Sequence, residues 1–246
     1  MRIPPIRIQA VDPANPTLPN KLLELVERAI IYESEHILIL DKPAGLAVHS
    51  GSGVAFGVID LVRKLRPQLD IELVHRLDRD TSGCLVLAKH RQALLTMQRS
   101  LQDNSLKKNY IAVVKGNWQP QKCEISKALK KVHLPNGERR VYVDAAGKSA
   151  LSRIELIQSG PIYSVVEVEI LTGRTHQIRV HCQSEGHEIA GDKKYGDVDF
   201  NRVMRRQKIR RLMLHASRLE LPASEFTPEI VINAALPAAF EQLLAR

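Results

Sequence analysis

Five ionisable side chains crowd into residues 75–80, HRLDRD, and an apolar run, CLVLAK (84–89), follows almost at once. By spacing alone such a cluster fits a salt-bridged surface loop as well as a reaction site. Its place beside a strand-like run argues for the site, because it packs charge against the end of a core element. A carboxylate flanked by guanidinium groups stays ionised at neutral pH. Asp78, set between Arg76 and Arg79, therefore suits nucleophilic attack or charge stabilisation and not proton donation. Thr81-Ser82-Gly83 reads as the sharp turn that follows.

Two further runs carry similar potential. In TGRTHQIRVH (172–181), Arg174 sits in a glycine-containing turn. Arg179 lies about one helical turn beyond Thr175, near a helix start where backbone N–H groups and an arginine together attract anions. His176 and His181 are five apart and fall on different helix faces, so a shared metal is not indicated; no HExxH-like spacing supports a metallophosphatase. In LKKNYIAVVKG (106–116), Tyr110 opens a strand behind Lys107 and Lys108. An aromatic ring beside two lysines can stack a nucleobase while the lysines take phosphates, although an ordinary strand tyrosine has the same pattern. GSGVAFG (51–57) lacks the Gly-Lys-Ser/Thr of a phosphate loop, and GDKKYG (191–196) is too generic to name a ligand.

The elements that must position these residues alternate irregularly. Helical spacing covers 21–32, 56–67 up to Pro67, and 91–103. HILILDKPAG reads as a strand ended by Pro43 and Gly45, with a second strand at 85–89. YIAVVKG, RRVYVDA, ALSRIELIQ and YSVVEVEIL are β-branched and alternating, with Val166, Val168 and Ile170 on one face. Residues 171–186 read as a turn into a helix, with Thr175 as N-cap and Gly186 as C-cap. RLMLHASRLEL and EIVINAAL close the sheet, and 237–245 forms a terminal helix. Hairpins with interspersed helices imply an α+β fold with a mixed, mainly antiparallel sheet. Residues 1–20 hold five of the 13 prolines and read as an extended arm or linker. Residues 21–246 form one continuous domain.

Partners follow from charge. The 246 residues carry 36 Lys and Arg against 27 Asp and Glu, a formal +9, which points to a polyanion such as nucleic acid. The basic run RVMRRQKIRR (202–211) reads as part of that electrostatic footprint. The three cysteines, Cys84, Cys123 and Cys182, form no CxxC pair and read as reduced cytosolic thiols. No stretch has the apolar length of a membrane span or signal peptide, which implies a cytoplasmic protein.

HRLDRDTSG (75–83), KNYIAVVKG (108–116), TGRTHQIRVH (172–181) and HEIAGDKKYG (187–196) together resemble the motifs of the RluA-type pseudouridine synthases. ILILDKPAGLAVH (37–49) is similar to the strand and turn that open their catalytic domain. RIPPIRI near the start and HSGSG (49–53) look most like the branch that modifies large-subunit ribosomal RNA. The resemblance implies a cleft across the sheet. Asp78 would be the essential aspartate, Tyr110 the active-site tyrosine, and Arg179 the basic residue paired with the aspartate. Arg76 would enter the RNA stack where a uridine has flipped out, and Ile178 would pack beneath the tyrosine. Arg79, Lys107, Lys108 and Arg174 are the remaining expected RNA contacts. Such enzymes break the C1′–N1 bond of a uridine, turn the base and rejoin it through C5, with no cofactor or metal. The residues leave open whether Asp78 attacks the sugar, adds to the base or assists elimination. The implied substrate is 23S ribosomal RNA, met by a monomer. Members of this branch typically carry an N-terminal S4-type RNA-binding domain; none is read in this chain, whose first residues resemble the linker after one.

Overall fold

The computed structural model describes residues 19–51, 54–135 and 137–245. The arm expected over 1–20 lies outside the described residues except at its end, where Asn20 already belongs to a helix. In chain order the elements are α1 (Asn20–Arg28), β1 (Ile30–Glu33), β2 (Ile37–Lys42), α2 (Val58–Leu65), β3 (Glu72–Leu73), β4 (Ser82–Ala88) and α3 (Arg91–Gln102). Then come β5 (Lys107–Lys115), β6 (Lys122–Ser126), β7 (Leu129–His133), β8 (Arg139–Val143), β9 (Leu151–Gln158) and β10 (Tyr163–Ile170). The chain closes with α4 (Gln177–Ser184), α5 (Val198–Arg206), β11 (Leu214–Leu221), β12 (Ile230–Asn233) and α6 (Ala238–Leu244).

One large sheet runs β1-β2-β4-β11-β5-β10-β9-β6, with β3 beside β4 and β12 beside β11. Only the β4–β11 contact is parallel; the other neighbours in this sheet are antiparallel. The α+β expectation therefore holds. β4 is buried at every position, as its unbroken apolar run predicts for a strand covered on both faces. β7 and β8 pair apart from the large sheet as a hairpin of their own.

Four local expectations are corrected. The helix expected over 21–32 stops at Arg28, because Ile30 and Tyr32 pair with Leu40 and Ile39 of β2; β-branched and aromatic residues take the sheet once a partner strand is available. The turn expected at 81–83 sits earlier: the Thr81 N–H donates to the Asp78 carbonyl at 3.2 Å, and Ser82 and Gly83 already belong to β4. The fourth helix starts after His176 and not Thr175; His176 has φ +54°, and its side chain does not cap the helix. Finally, β6 and β7 were not anticipated, since KCEIS and LKKVH are lysine-bearing, largely exposed strands with little apolar signal.

The Asp78 turn is fixed from below. Gly83 has φ +108°, and a Cβ there would lie 2.2 Å from the Ala216 carbonyl oxygen on β11, so only glycine permits this approach. Lys42, fully buried at the end of β2, donates to the carbonyls of Pro43 (2.9 Å), Leu46 (2.8 Å) and Arg79 (3.1 Å). The Arg79 carbonyl also accepts from the Gly45 N–H at 2.8 Å. One ammonium thus ties the turn after β2 to the turn bearing Asp78. Burial draws Lys42 from its usual 10.5 down to about 7, against the opposing pull of Asp80, Asp78 and Asp41.

Lys42→Met takes the ammonium donor from the Pro43 and Leu46 carbonyls and one of two donors from the Arg79 carbonyl, and should destabilise the fold by about 2–4 kcal/mol near pH 7. Between about pH 7 and 10.5 the unfolded chain holds a proton that folded Lys42 has released, so native stability rises with pH from this group. Parallel denaturation of the native chain and Lys42→Met should show the gap widening from pH 7 to about pH 9; a narrowing gap refutes the assignment.

Candidate active site

A cleft of about 660 Å³ opens on one face of the sheet. It is lined by Arg76 and Asp78 from the turn before β4, Lys108 and Tyr110 from β5, Arg174 from the loop before α4, and Ile178 and Arg179 from the start of α4. Seven of the nine residues singled out from the sequence thus meet in one place. Arg79 and Lys107 do not line it. The Arg79 guanidinium donates to the Gly45 carbonyl, and Lys107 pairs with Glu220 at 3.3 Å. The period of β5 accounts for Lys107: alternate residues face opposite sides, so Lys108 and Tyr110 share the cleft face.

The guanidinium that reaches Asp78 is not from a chain neighbour. Arg179 Nη1 lies 3.0 Å from Asp78 Oδ2, across 101 residues of sequence. Its other edge is held by Asp192, with Nε to Oδ2 at 2.7 Å and Nη2 to Oδ1 at 2.8 Å. Asp192 is 2% exposed and also accepts from the backbone N–H of Lys194 and Tyr195. Burial works against charge on both partners, but the paired hydrogen bonds prevail: Arg179 is held above its ordinary range and Asp192 below the usual carboxylate range. Both remain ionised.

The loop carrying Asp192 is itself clamped. Asn201 of α5 accepts from the Gly191 N–H (2.7 Å) and donates to the Asp192 carbonyl (3.0 Å). A Cβ on Gly191 would fall 1.8 Å from the Arg211 carbonyl oxygen. The Tyr195 hydroxyl receives the Val141 N–H at 2.9 Å and meets His176 Nδ1 at 2.7 Å, while the Arg179 guanidinium lies 5.0 Å from the Tyr195 ring centre. Gln177, buried at the head of α4, ties the preceding loop to β9 by donating to the Leu151 carbonyl and to Ser152 Oγ. His181 sits in the core between Ser152 Oγ and the Lys127 carbonyl.

Other groups complete the lining. Tyr110 is 5% exposed, and burial together with Asp78 raises its phenol above the usual range. It is thus a neutral phenol that gives up its proton reluctantly. Lys108 is 8% exposed, its ammonium has no partner among the described residues, and burial lowers its affinity for the proton. His75 is driven down to about 3 by burial and by Lys108, and its Nε2 accepts from the Val86 N–H. Thr81 Oγ1, buried at the cleft wall, has no hydrogen-bond partner among the described residues. The run 202–211 does not line the cleft.

Sequence reasoning missed Asp192, Tyr195, Asn201 and the role of His176. GDKKYG was visible as a motif, and the glycine ahead of its aspartate was the one signal of a tight, specified turn. Arg140 likewise reaches this loop, donating to the Lys194 carbonyl.

The family described as RNA pseudouridylate synthase matches residues 36–184. The chain is 42% identical over 247 residues to ribosomal large subunit pseudouridine synthase C of Pasteurella multocida (strain Pm70), covering 99% of this chain and 75% of that protein. It is 44% identical over 225 residues to the protein of the same name from Escherichia coli (strain K12), covering 89% and 70%. Among solved structures, human RNA pseudouridylate synthase domain containing 4 superposes with a TM-score of 0.74 at 25% identity, covering 92% of this chain and 95% of that one. Human RNA pseudouridylate synthase domain containing 1 gives 0.70 at 25% identity, covering 88% and 93%. With matched residues that include the Asp78 turn, Tyr110 and Arg179, the chain belongs to the RNA pseudouridylate synthase family.

Proposed function

We propose that this protein isomerises uridine to pseudouridine at specific positions of large-subunit (23S) ribosomal RNA, acting as a cytoplasmic monomer with Asp78 as the reacting carboxylate. The observation that carries this reading is the ion pair between Asp78 and Arg179 at the wall of a cleft that also holds Tyr110 and Lys108. The relatives named for large-subunit ribosomal RNA supply the substrate class. A non-catalytic RNA-binding module has no use for a carboxylate beside the site where a base would sit.

The chemistry follows from the groups present. A nucleotide must leave its stack to bring C1′ to Asp78, at a cost of a few kcal/mol. Arg76, an exposed side chain of the cleft lining, would fill the vacated position. Tyr110 holds the everted uracil by its ring, with Ile178 on the same wall. Lys108 takes a phosphate, and Arg174 at the loop before α4 takes another. Arg179 keeps Asp78 ionised and oriented while the C1′–N1 bond breaks and the C1′–C5 bond forms.

Asp78→Asn should fold normally yet lower tritium release from C5-labelled large-subunit RNA by more than about 10⁴-fold; retained turnover would reject the carboxylate role. Arg179→Met strands Asp192 without its partner and should reduce stability by about 3–5 kcal/mol along with turnover. Unchanged melting with full activity contradicts that pairing. Lys108→Met removes a cation that burial disfavours, so its melting temperature should rise while RNA affinity falls. The slope of log affinity against log salt should drop by about one unit. A salt slope equal to that of the native chain would remove Lys108 from the phosphate contacts.

A further inference from the structure

His176 lines the cleft beside Asp78, and the pattern of hydrogen bonds around it dictates where its proton sits. The Tyr195 oxygen already receives the Val141 N–H at 2.9 Å. Its own hydrogen then has one acceptor among the described residues, His176 Nδ1 at 2.7 Å. The opposite arrangement, with Nδ1–H donating to Tyr195, leaves the buried phenolic hydrogen with no acceptor. Nδ1 is therefore unprotonated and Nε2 bears the hydrogen. Nε2 lies 3.8 Å from Asp78 Oδ2, too far for a hydrogen bond, so its N–H stands at the cleft wall next to the carboxylate and uncommitted. Tyr195 is itself buried and edge-on to the imidazole, with ring centres 5.3 Å apart. The left-handed backbone at residue 176, φ +54°, swings the ring to this place instead of continuing the helix.

Among the cleft's donors His176 is distinct. Arg179 directs Nε and Nη2 at Asp192 and Nη1 at Asp78. Lys108 is a point cation suited to a phosphate. What lacks a counterpart is the base itself. When the C1′–N1 bond breaks, its electron pair leaves with the uracil, and the charge spreads onto the ring carbonyl oxygens. The C1′–C5 bond then forms, C5 loses its hydrogen as a proton and N1 gains one, with no net gain or loss of electrons. A preset N–H aimed at a carbonyl oxygen stabilises the anionic stage more than the neutral uridine, which is the condition for raising turnover and not merely binding.

We propose that His176, locked as its Nε2–H form by Tyr195, is a further catalytic residue that donates a hydrogen bond to a carbonyl oxygen of the departing uracil. This rests on the assignment of the reaction to Asp78. Two measurements test it. In the RNA-free protein, ¹⁵N-resolved imidazole spectra should show His176 with Nε2 protonated and Nδ1 bare, and Tyr195→Phe should abolish that preference; a protonated Nδ1 in the native chain overturns the proposal. In single-turnover tritium release from C5-labelled large-subunit RNA, His176→Met and His176→Gln form a matched pair. Both are unbranched, similar in length and equally disfavoured in left-handed backbone, but only glutamine offers an N–H. Methionine should slow turnover by about 10- to 100-fold with RNA affinity nearly unchanged, and glutamine should restore most of it. Equal loss in the two variants, or none in methionine, overturns the donor role. Failure of the Asp78 assignment shows separately, as turnover retained by Asp78→Asn.

Discussion

Arg179 is shared between two carboxylates in unequal circumstances. Asp192 is buried and holds the guanidinium along one edge by two hydrogen bonds, fixing its plane; Asp78 meets the remaining corner through one bond at the cleft wall. Two-point recognition of a planar fork sets position as well as charge, which a lysine could not do there. The position of Arg179 therefore does not depend on Asp78. A substrate can draw on the Asp78 carboxylate without releasing the cation beside it, and the proposed reacting group starts from a fixed electrostatic setting. Desolvation opposes any buried ion pair, so the additional backbone donors from Lys194 and Tyr195 to Asp192 are part of what makes this one tenable.

Support for that setting extends outward through contacts that touch no substrate. Asn201 brackets the 191–192 backbone, Tyr195 lies under the guanidinium and against His176, and Lys42 joins the β2 turn to the Asp78 turn. Two strands that run parallel side by side, β4 and β11, allow these layers to converge, and at Gly83 the Ala216 backbone leaves no room for a Cβ. Helix α5 then has two sides with different uses. Arg205 and Arg206 face solvent, while Asn201, Phe200 and Met204 turn toward the protein. The basic run read from the sequence as an RNA footprint is thus also the outer side of the element that fixes the Asp192 loop.

Much of this was legible in the sequence, and the remainder was hidden for definable reasons. HRLDRDTSG and TGRTHQIRVH named Asp78 and Arg179, and the family resemblance paired them; local charge alone pointed to Arg76 and Arg79, yet Arg79 donates to the Gly45 carbonyl and the guanidinium on Asp78 comes from a segment about a hundred residues later. Long-range pairing leaves no local trace. The period of β5 could have separated Lys108 from Lys107 at once, since only the former shares a face with Tyr110. Asp192 was unreadable because its partner lies across a helix and a loop, and Lys42 because three carbonyl acceptors have no side-chain signature. The hairpin β7–β8 escaped in part because its lysines and arginines diluted the alternation that marks a strand.

The cleft also reconciles two demands that conflict in a polyanion-binding enzyme. Net positive charge draws RNA in from a distance, but attraction of that kind is screened beyond about 10 Å in ordinary salt and is indifferent to sequence. An anionic Asp78 near the everted nucleotide would repel the very phosphates being gathered. Placing the exposed Arg76 and Arg174 at the mouth and the shielded Lys108 within separates the tasks. On the proposed roles the outer cations act early and weakly, whereas Lys108, in the cleft lining, meets a phosphate only once the backbone is seated. Burial disfavours its charge in the free protein, and a seated phosphate would offset that. Under the proposed roles a poorly seated RNA would leave Lys108 without its phosphate and Asp78 without its target, so correct placement of the backbone and readiness at the carboxylate would be favoured by the same contact.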